Sequence, residues 1–344
     1  MSYGSSRGSS GALPLLCVRG LRVQYSGSES PAVAEADLDI ARGETIGVLG
    51  ESGSGKSTLA LSLIGLLPAK ATAQGTAFFH GHETLNDAKE ARPAVNLLQI
   101  DEAQWRKIRG ARISMIFQEP SLSLSPVMRV RDQIAEVLGA HRRDKPRRQE
   151  IEEALKQVRL ADVDRIGSAY PHQLSGGQLH RIAIAQAIIC RPDLLIADEA
   201  ARSLDVTVQA EVLNLLREIN EAVGSALLFI THDPKLLAGF ADRVIVMYAG
   251  RVVEEGPVER VFQQPQHPYT QALLRLVPSI SKRPASGGGR LPAIPSSLTD
   301  SDRLSLGCVF EPRCAARIDV CRSDSPGMTA AAPDHHVSCF NYGN

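Results

Sequence analysis

The sequence predicts an α/β domain on a largely parallel sheet, with an inserted helical subdomain and a small cysteine-bearing C-terminal extension. Three observations predict it. Short buried-strand runs alternate with helix-like stretches from Leu15 to about Phe262. A glycine-rich phosphate loop lies between one such strand and one such helix. Four cysteines crowd the last part of the chain, beyond a Pro/Gly-rich stretch.

Taken in order, residues 1–12 are rich in Ser and Gly and have no apolar core of the kind a secretory leader carries, so they read as a disordered tail. Thr45–Leu49, Leu194–Ala197 and Leu227–Ile230 read as buried strands, and Lys56–Leu67 as the helix after the first. From about 104 to 186 the pattern is mostly helical, including Val130–Leu138 and Gln149–Val158, and this stretch reads as the inserted subdomain. The nucleotide-handling domain is placed at 13–263. The extension is placed at 264–344, with a helix at Thr270–Leu276 and a linker at Pro284–Gly289.

At 344 residues and 43% hydrophobic content the chain can bury a full core. Its 38 basic and 38 acidic residues balance, so no global field favours nucleic acid or an anionic surface. The local run Arg142, Arg143, Lys145, Arg147 and Arg148 has no interleaved aromatics and reads as a solvated loop. No stretch approaches the roughly 18 to 20 apolar residues of a membrane span. A role at a membrane would therefore require docking onto another chain.

Chemistry concentrates in three places. Gly50-Glu51-Ser52-Gly53-Ser54-Gly55-Lys56-Ser57, followed by Thr58, matches the P-loop pattern. Its glycines let backbone N–H groups face a polyphosphate, and the helix start adds partial positive charge. Lys56 is expected at the β and γ phosphates of ATP, and the Ser57 hydroxyl at Mg²⁺. Asp198 and Glu199 end a buried strand, where carboxylates are costly without a cation. Asp198 is assigned to Mg²⁺ and Glu199 to general-base activation of the attacking water. Finally, Leu174-Ser175-Gly176-Gly177-Gln178 opens an apolar helix and makes a second anion site of the same physical kind.

Leu174–Gln178 resembles the signature motif of ABC ATPases, in which two domains associate head to tail and one domain's signature completes the other's P-loop site. The resemblance implies further roles. Tyr25 is similar to the aromatic that stacks on adenine. Gln118 resembles the Q-loop glutamine that senses Mg²⁺ and water, Asp205 the D-loop aspartate, and His232 the switch histidine at the γ-phosphate. Taken singly, Tyr25, Gln118 and His232 read as ordinary strand or turn residues, and their joint order reverses that. One departure stands out: Ala200, Ala201 and Arg202 replace the usual proline and small residues after the catalytic glutamate. It predicts an altered D-loop and a site slower than the partner's.

Gln118–Ile134, Tyr170–Gln173, Asp205–Gln209 and His267–Thr270 with Leu273, Leu274, Val277 and Pro278 are similar to ATP-binding subunits of oligopeptide and dipeptide importers. The resemblance implies a second, distinct ATPase subunit, two membrane permeases, an extracytoplasmic binding protein, and a place at the cytoplasmic face of the membrane. Importers of nickel, metal chelates or opines have similar subunits, and the cysteine-bearing tail tilts the reading towards peptides. A catalytically weak regulatory subunit is the lesser alternative, opposed by the intact Lys56, Asp198, Glu199 and His232.

Cys308, Cys314, Cys321 and Cys339 are spaced C-x₅-C-x₆-C-x₁₇-C. Four thiolates suit either a [4Fe-4S] cluster or a structural Zn²⁺. Family resemblance alone ranks the cluster first. His335 and His336 are possible substitute ligands, with exposed tail histidines the commoner case.

Overall fold

The computed structural model describes residues 13–81, 94–119, 123–142, 147–200, 205–276, 298 and 300–343. The predicted N-terminal tail, the linker, Val277–Pro278, Arg143, Lys145, Ala201 and Arg202 lie outside the described residues.

The strands are β1 (Leu16–Tyr25), β2 (Val33–Ile40), β3 (Thr45–Leu49), β4 (Ala71–Phe79), β5 (Val95–Asn96), β6 (Ile113–Ile116), β7 (Leu194–Asp198), β8 (Ala226–Thr231), β9 (Arg243–Tyr248), β10 (Arg251–Pro257), β11 (Thr329–Ala332) and β12 (His335–Val337). They form one mixed sheet in the order β5-β4-β1-β2-β10-β9-β3-β8-β7-β6, with β12 and then β11 added on β10. The five strands from β9 to β6 are all parallel. The remainder is mainly antiparallel: β1 pairs with β2 and β4, β4 with β5, and β10 with β9 and β12. The expectation of a largely parallel sheet therefore holds for the centre and not for the flank. Short connections, such as the one from Tyr248 to Arg251, can only return antiparallel.

Strand periodicity assigns the two cores. Ile46, Val48, Leu194, Ile196, Leu228 and Ile230 face one apolar cluster, which includes Leu59 and Leu63. Leu49, Leu195, Ala197, Leu227 and Phe229 face the other. Alternate residues point to opposite faces, so strands apolar at every position need cover on both sides.

The helices are α1 (Lys56–Leu63), α2 (Glu102–Ile108), α3 (Val130–His141), α4 (Arg148–Gln157), α5 (Val163–Ser168), α6 (Gly176–Ile188), α7 (Val206–Val223), α8 (Val258–Gln263), α9 (Pro268–Arg275), α10 (Asp300–Arg303) and α11 (Val320–Ser323). α1 stops short of the predicted Leu67. Gly65 turns the chain at φ 64°, and the Trp105 ring stands 2.2 Å from where a Cβ would be. Strand β6 falls inside the stretch read as helical and pairs with β7. Within the described part of the basic run, Arg142 pairs with Glu150 at 2.6 Å, and Arg148 with Glu152 at 2.6 Å and with Asp164.

The extension packs onto the cassette. Phe310 stacks edge-on with Tyr248 and Tyr269 at 5.1 and 5.5 Å. Strand β12 pairs with β10, so His335 is buried against Glu254, Nε2 to Oε1 2.7 Å, which corrects its reading as an exposed tail histidine. Among the described residues, no helix is long and apolar enough to cross a membrane.

Candidate active site

The predicted chemistry gathers at the carboxyl ends of neighbouring parallel strands, where an open α/β sheet leaves a crevice. The P-loop follows β3, Gln118 follows β6, Asp198 ends β7 and His232 follows β8. Since β3, β8, β7 and β6 are adjacent in that order, residues far apart in sequence converge.

The loop's glycines are required by close approach. A Cβ on Gly50 would lie 2.3 Å from the Met247 carbonyl, and one on Gly55 2.5 Å from the Ala32 carbonyl. Gly55 also sits at φ 102° as the residue before α1. Lys56 is buried, and its Nζ donates to the carbonyls of Gly50 at 2.8 Å and Glu51 at 2.9 Å, and to Ser54 Oγ at 3.4 Å. Folded this way, the ammonium is held inside the loop beside a cavity of about 440 Å³. Tyr25, Ser52, Gly53, Gly55, Lys56, Ser57, Thr58, Gln118 and Glu199 line that cavity. Its size falls in the roughly 300–1,000 Å³ range of small-molecule sites. Tyr25 Oη and Thr58 Oγ1 are 3.1 Å apart, which ties the aromatic to the first turn of α1.

Asp198 is buried and hydrogen-bonded by Ser57, while its Oδ1 makes no hydrogen bond. Burial pushes its pKa up, the Ser57 hydroxyl and Lys56 oppose this, and the Glu199 charge adds to it. A buried carboxylate oxygen without a donor, beside a hydroxyl, is the donor set a hard divalent cation takes. Ser57 and Asp198 thus fit Mg²⁺.

Glu199 is held in the left-handed region at φ 46°, a conformation costing about 1–3 kcal/mol in a non-glycine residue. Its N–H donates to the Ile230 carbonyl at 3.0 Å, which fixes the turn. Gln118 Nε2 donates to Glu199 Oε2 at 3.3 Å, and His232 Nδ1 lies 3.3 Å from Oε1. Two side chains from two other strand ends therefore orient one carboxylate at the cavity wall.

Ser175 to Gln178 stand apart from this cavity's lining. Ser175 caps α6: its Oγ accepts from the Gln178 N–H at 3.3 Å, and Gln178 Oε1 accepts from the Ser175 N–H at 3.0 Å. A Cβ on Gly176 or Gly177 would meet nothing within 4 Å, so both backbones face open space. Asp205 caps α7 by accepting from the N–H groups of Thr207 and Val208 at 3.1 and 3.0 Å. Both segments are capped helix starts that lie outside the lining of the chain's own nucleotide cavity.

A P-loop and a separate signature-bearing helix start, within one cassette, match the family comparisons. Residues 33–202 match the ABC transporter family model, and residues 253–321 match the oligopeptide/dipeptide transporter C-terminal region. The oligopeptide transport ATP-binding protein OppD of Escherichia coli is 40% identical over 331 residues, covering 95% of this chain and 93% of that protein. The chain belongs to the ABC transporter ATPases. The oligopeptide transport ATP-binding protein AppD of Bacillus subtilis is 41% identical over 314 residues, covering 91% of each. The ABC cassette MJ0796, in a dimeric post-hydrolysis state bound to ADP and Pi, superposes with TM-score 0.59 at 27% identity, over 71% of this chain and 98% of that one. This ABC ATPase hydrolyses ATP.

The four late cysteines share one lobe. The Cys308 N–H donates to the Cys321 carbonyl at 2.8 Å. Burial pushes the Cys308 thiol up to about 11, helped by the charges of Cys321, Cys314 and Cys339, and Cys314 and Cys339 are raised chiefly by burial too. The chemistry of the set suits a metal or cluster. Among the described residues, however, no three His, Cys, Asp or Glu side chains stand arranged to hold a metal ion.

Sequence reasoning missed three residues. Arg303 lines the nucleotide cavity from the extension, 250 residues beyond Gly53. Arg313 pairs with Glu51 of the P-loop, and the Tyr269 hydroxyl accepts the Glu51 N–H at 2.8 Å. No local motif marks Arg303 or Arg313, and Tyr269, although within the His267–Thr270 stretch already singled out, was given no role at the P-loop, because each acts through tertiary packing.

Proposed function

We propose that this ABC ATPase energises import of di- and oligopeptides, at the cytoplasmic face of a membrane, as one of two distinct nucleotide-binding subunits beneath two permeases fed by an extracytoplasmic binding protein. The observation that carries the catalytic part is Glu199 held at the cavity wall by Gln118 and His232. The likeness to OppD and AppD over nearly the whole chain, extension included, supports the peptide class.

In this reading, ATP enters with its adenine on Tyr25. Lys56 exchanges its carbonyl partners for the β and γ phosphates, while the P-loop N–H groups wrap the chain of phosphates. Bound Mg²⁺, held by Ser57 and Asp198, supplies charge neutralisation at the phosphates. Glu199 takes the proton of the attacking water, and Gln118 and His232 keep its carboxylate aimed. Ser175, Gly176, Gly177 and Gln178 serve the partner's γ-phosphate, and Asp205 lies at the same interface. Hydrolysis then reopens the pair, and the segment from Gln118 to Gln133 transmits the movement to the permeases.

The four cysteines are assigned to a [4Fe-4S] cluster, with structural Zn²⁺ as the alternative. Their C-x₅-C-x₆-C-x₁₇-C spacing and their gathering in one lobe, where the Cys308 N–H meets the Cys321 carbonyl at 2.8 Å, support this, since four thiolates complete either kind of site. Anaerobically purified protein should contain iron and acid-labile sulfide. Zinc without sulfide would select the alternative, and neither would overturn the site.

The test of the substrate class is uptake by the reconstituted complex. Labelled di- or oligopeptide should accumulate with ATP, and transport of a nickel chelate but no peptide would overturn the peptide reading.

A further inference from the structure

The nucleotide cavity has a wall that the cassette does not provide. Arg303, on α10 of the extension, reaches between two walls of the site. Its Nη1 donates to the carbonyls of Pro31 at 3.1 Å and Ala32 at 3.4 Å, on the loop that follows Tyr25. Its Nη2 donates to the carbonyl of Gly53 in the P-loop. The extension is pinned beside it, because Arg313 pairs with Glu51 and Tyr269 holds the Glu51 N–H.

We propose that Arg303 is a nucleotide-binding residue, supplied in cis by the C-terminal extension, whose guanidinium contacts the phosphates of bound ATP or ADP. This rests on the ATPase reading of the same cavity. Of the residues lining that cavity, Lys56 and Arg303 carry positive charge, and Glu199 carries negative charge. A second cation suits a ligand of three to four negative charges on the order set by its phosphates. Neutral carbonyls fix the plane of the guanidinium fork, and a fork fixed in advance loses little entropy on meeting a phosphate. The Ala32 carbonyl that Arg303 reaches is also the one that a Cβ on Gly55 would strike at 2.5 Å, so the arginine stands close against the phosphate-binding turn.

The experiment measures ATP and ADP affinity by fluorescent-nucleotide titration on the full chain, with Arg303→Ala, Arg303→Lys and Arg303→Gln, each first shown to melt as the wild type does. Arg303→Ala should weaken both nucleotides about tenfold, raising KM with kcat little changed. Arg303→Lys should recover only part of the loss, because it keeps the charge without the fork, and Arg303→Gln should fall with Arg303→Ala. Wild-type affinity in Arg303→Gln would reduce Arg303 to a strut between carbonyls, and unchanged affinity in Arg303→Ala would remove it from the site. Either result overturns the proposal. Absence of nucleotide binding by the wild type would instead overturn the ATPase reading itself.

Discussion

His232 and Glu199 meet across the ends of two adjacent strands, with the histidine Nδ1 3.3 Å from the carboxylate Oε1. That contact, with Gln118 on the other oxygen, orients the Glu199 carboxylate at the cavity wall, where the proposed function makes it the base. Glu199→Gln should keep ATP affinity and lose on the order of 10²- to 10⁴-fold in turnover. Single-turnover hydrolysis in the assembled complex checks this. Near-normal turnover would place the working site in the partner subunit.

Asp198→Asn should weaken Mg²⁺-dependent ATP binding while leaving Mg²⁺-free nucleotide binding nearly unchanged. The reason is that Oδ1 is buried with no hydrogen-bond donor, whereas the Ser57 bond survives the substitution. Titration of ATP with and without Mg²⁺ separates the two effects. Equal affinity loss in both conditions would make Asp198 a structural residue.

Gly177→Asp should leave nucleotide binding by the isolated chain intact and abolish hydrolysis at the partner's site. A carboxylate there has room on its own chain, since a Cβ meets nothing within 4 Å, but it would repel the partner's phosphates. Hydrolysis at wild-type rate in the assembled pair would show that α6 faces something other than nucleotide.

Arg313→Met should destabilise the fold by roughly 3 kcal/mol, the lower end for one partner removed from a buried ion pair, because Glu51 keeps some access to water. Tyr248, whose hydroxyl Arg313 also reaches at 3.1 Å, is pushed up to about 12 chiefly by burial. Denaturant titration checks the loss, and an unchanged midpoint would detach the extension from P-loop stability.

His267 is fully buried, and its pKa is lowered to about 4 by desolvation, which Glu254 partly opposes. Its Nδ1 accepts the Tyr269 N–H at 3.0 Å, so the ring is neutral. The unfolded chain binds this proton more readily, so its contribution is full above about pH 6.5 and is lost as pH falls towards 4, by roughly 3 kcal/mol in all. His267→Gln should flatten the stability–pH curve across that window, and an unchanged slope would assign the acid sensitivity elsewhere.

The parts of this site legible in sequence were those whose chemistry is written locally. Gly50 to Ser57 and Ser175 to Gln178 each declare themselves by glycine and hydroxyl spacing at a helix start. Asp198 and Glu199 declare themselves as charges at the end of an apolar strand. Strands β3, β7 and β8 were legible because they are buried on both faces. The antiparallel flank was not, since half-exposed strands such as β1 and β4 carry a weaker pattern. Arg303 and Arg313 were illegible because an arginine's partner is set by a fold that brings residue 303 to residue 53.

The most direct test of the account is ATP-driven peptide uptake by proteoliposomes holding the whole complex, with this chain wild type or Glu199→Gln. The account predicts saturable uptake of labelled oligopeptide that falls at least tenfold in the variant, while ATP remains bound. Undiminished uptake by the variant would contradict it.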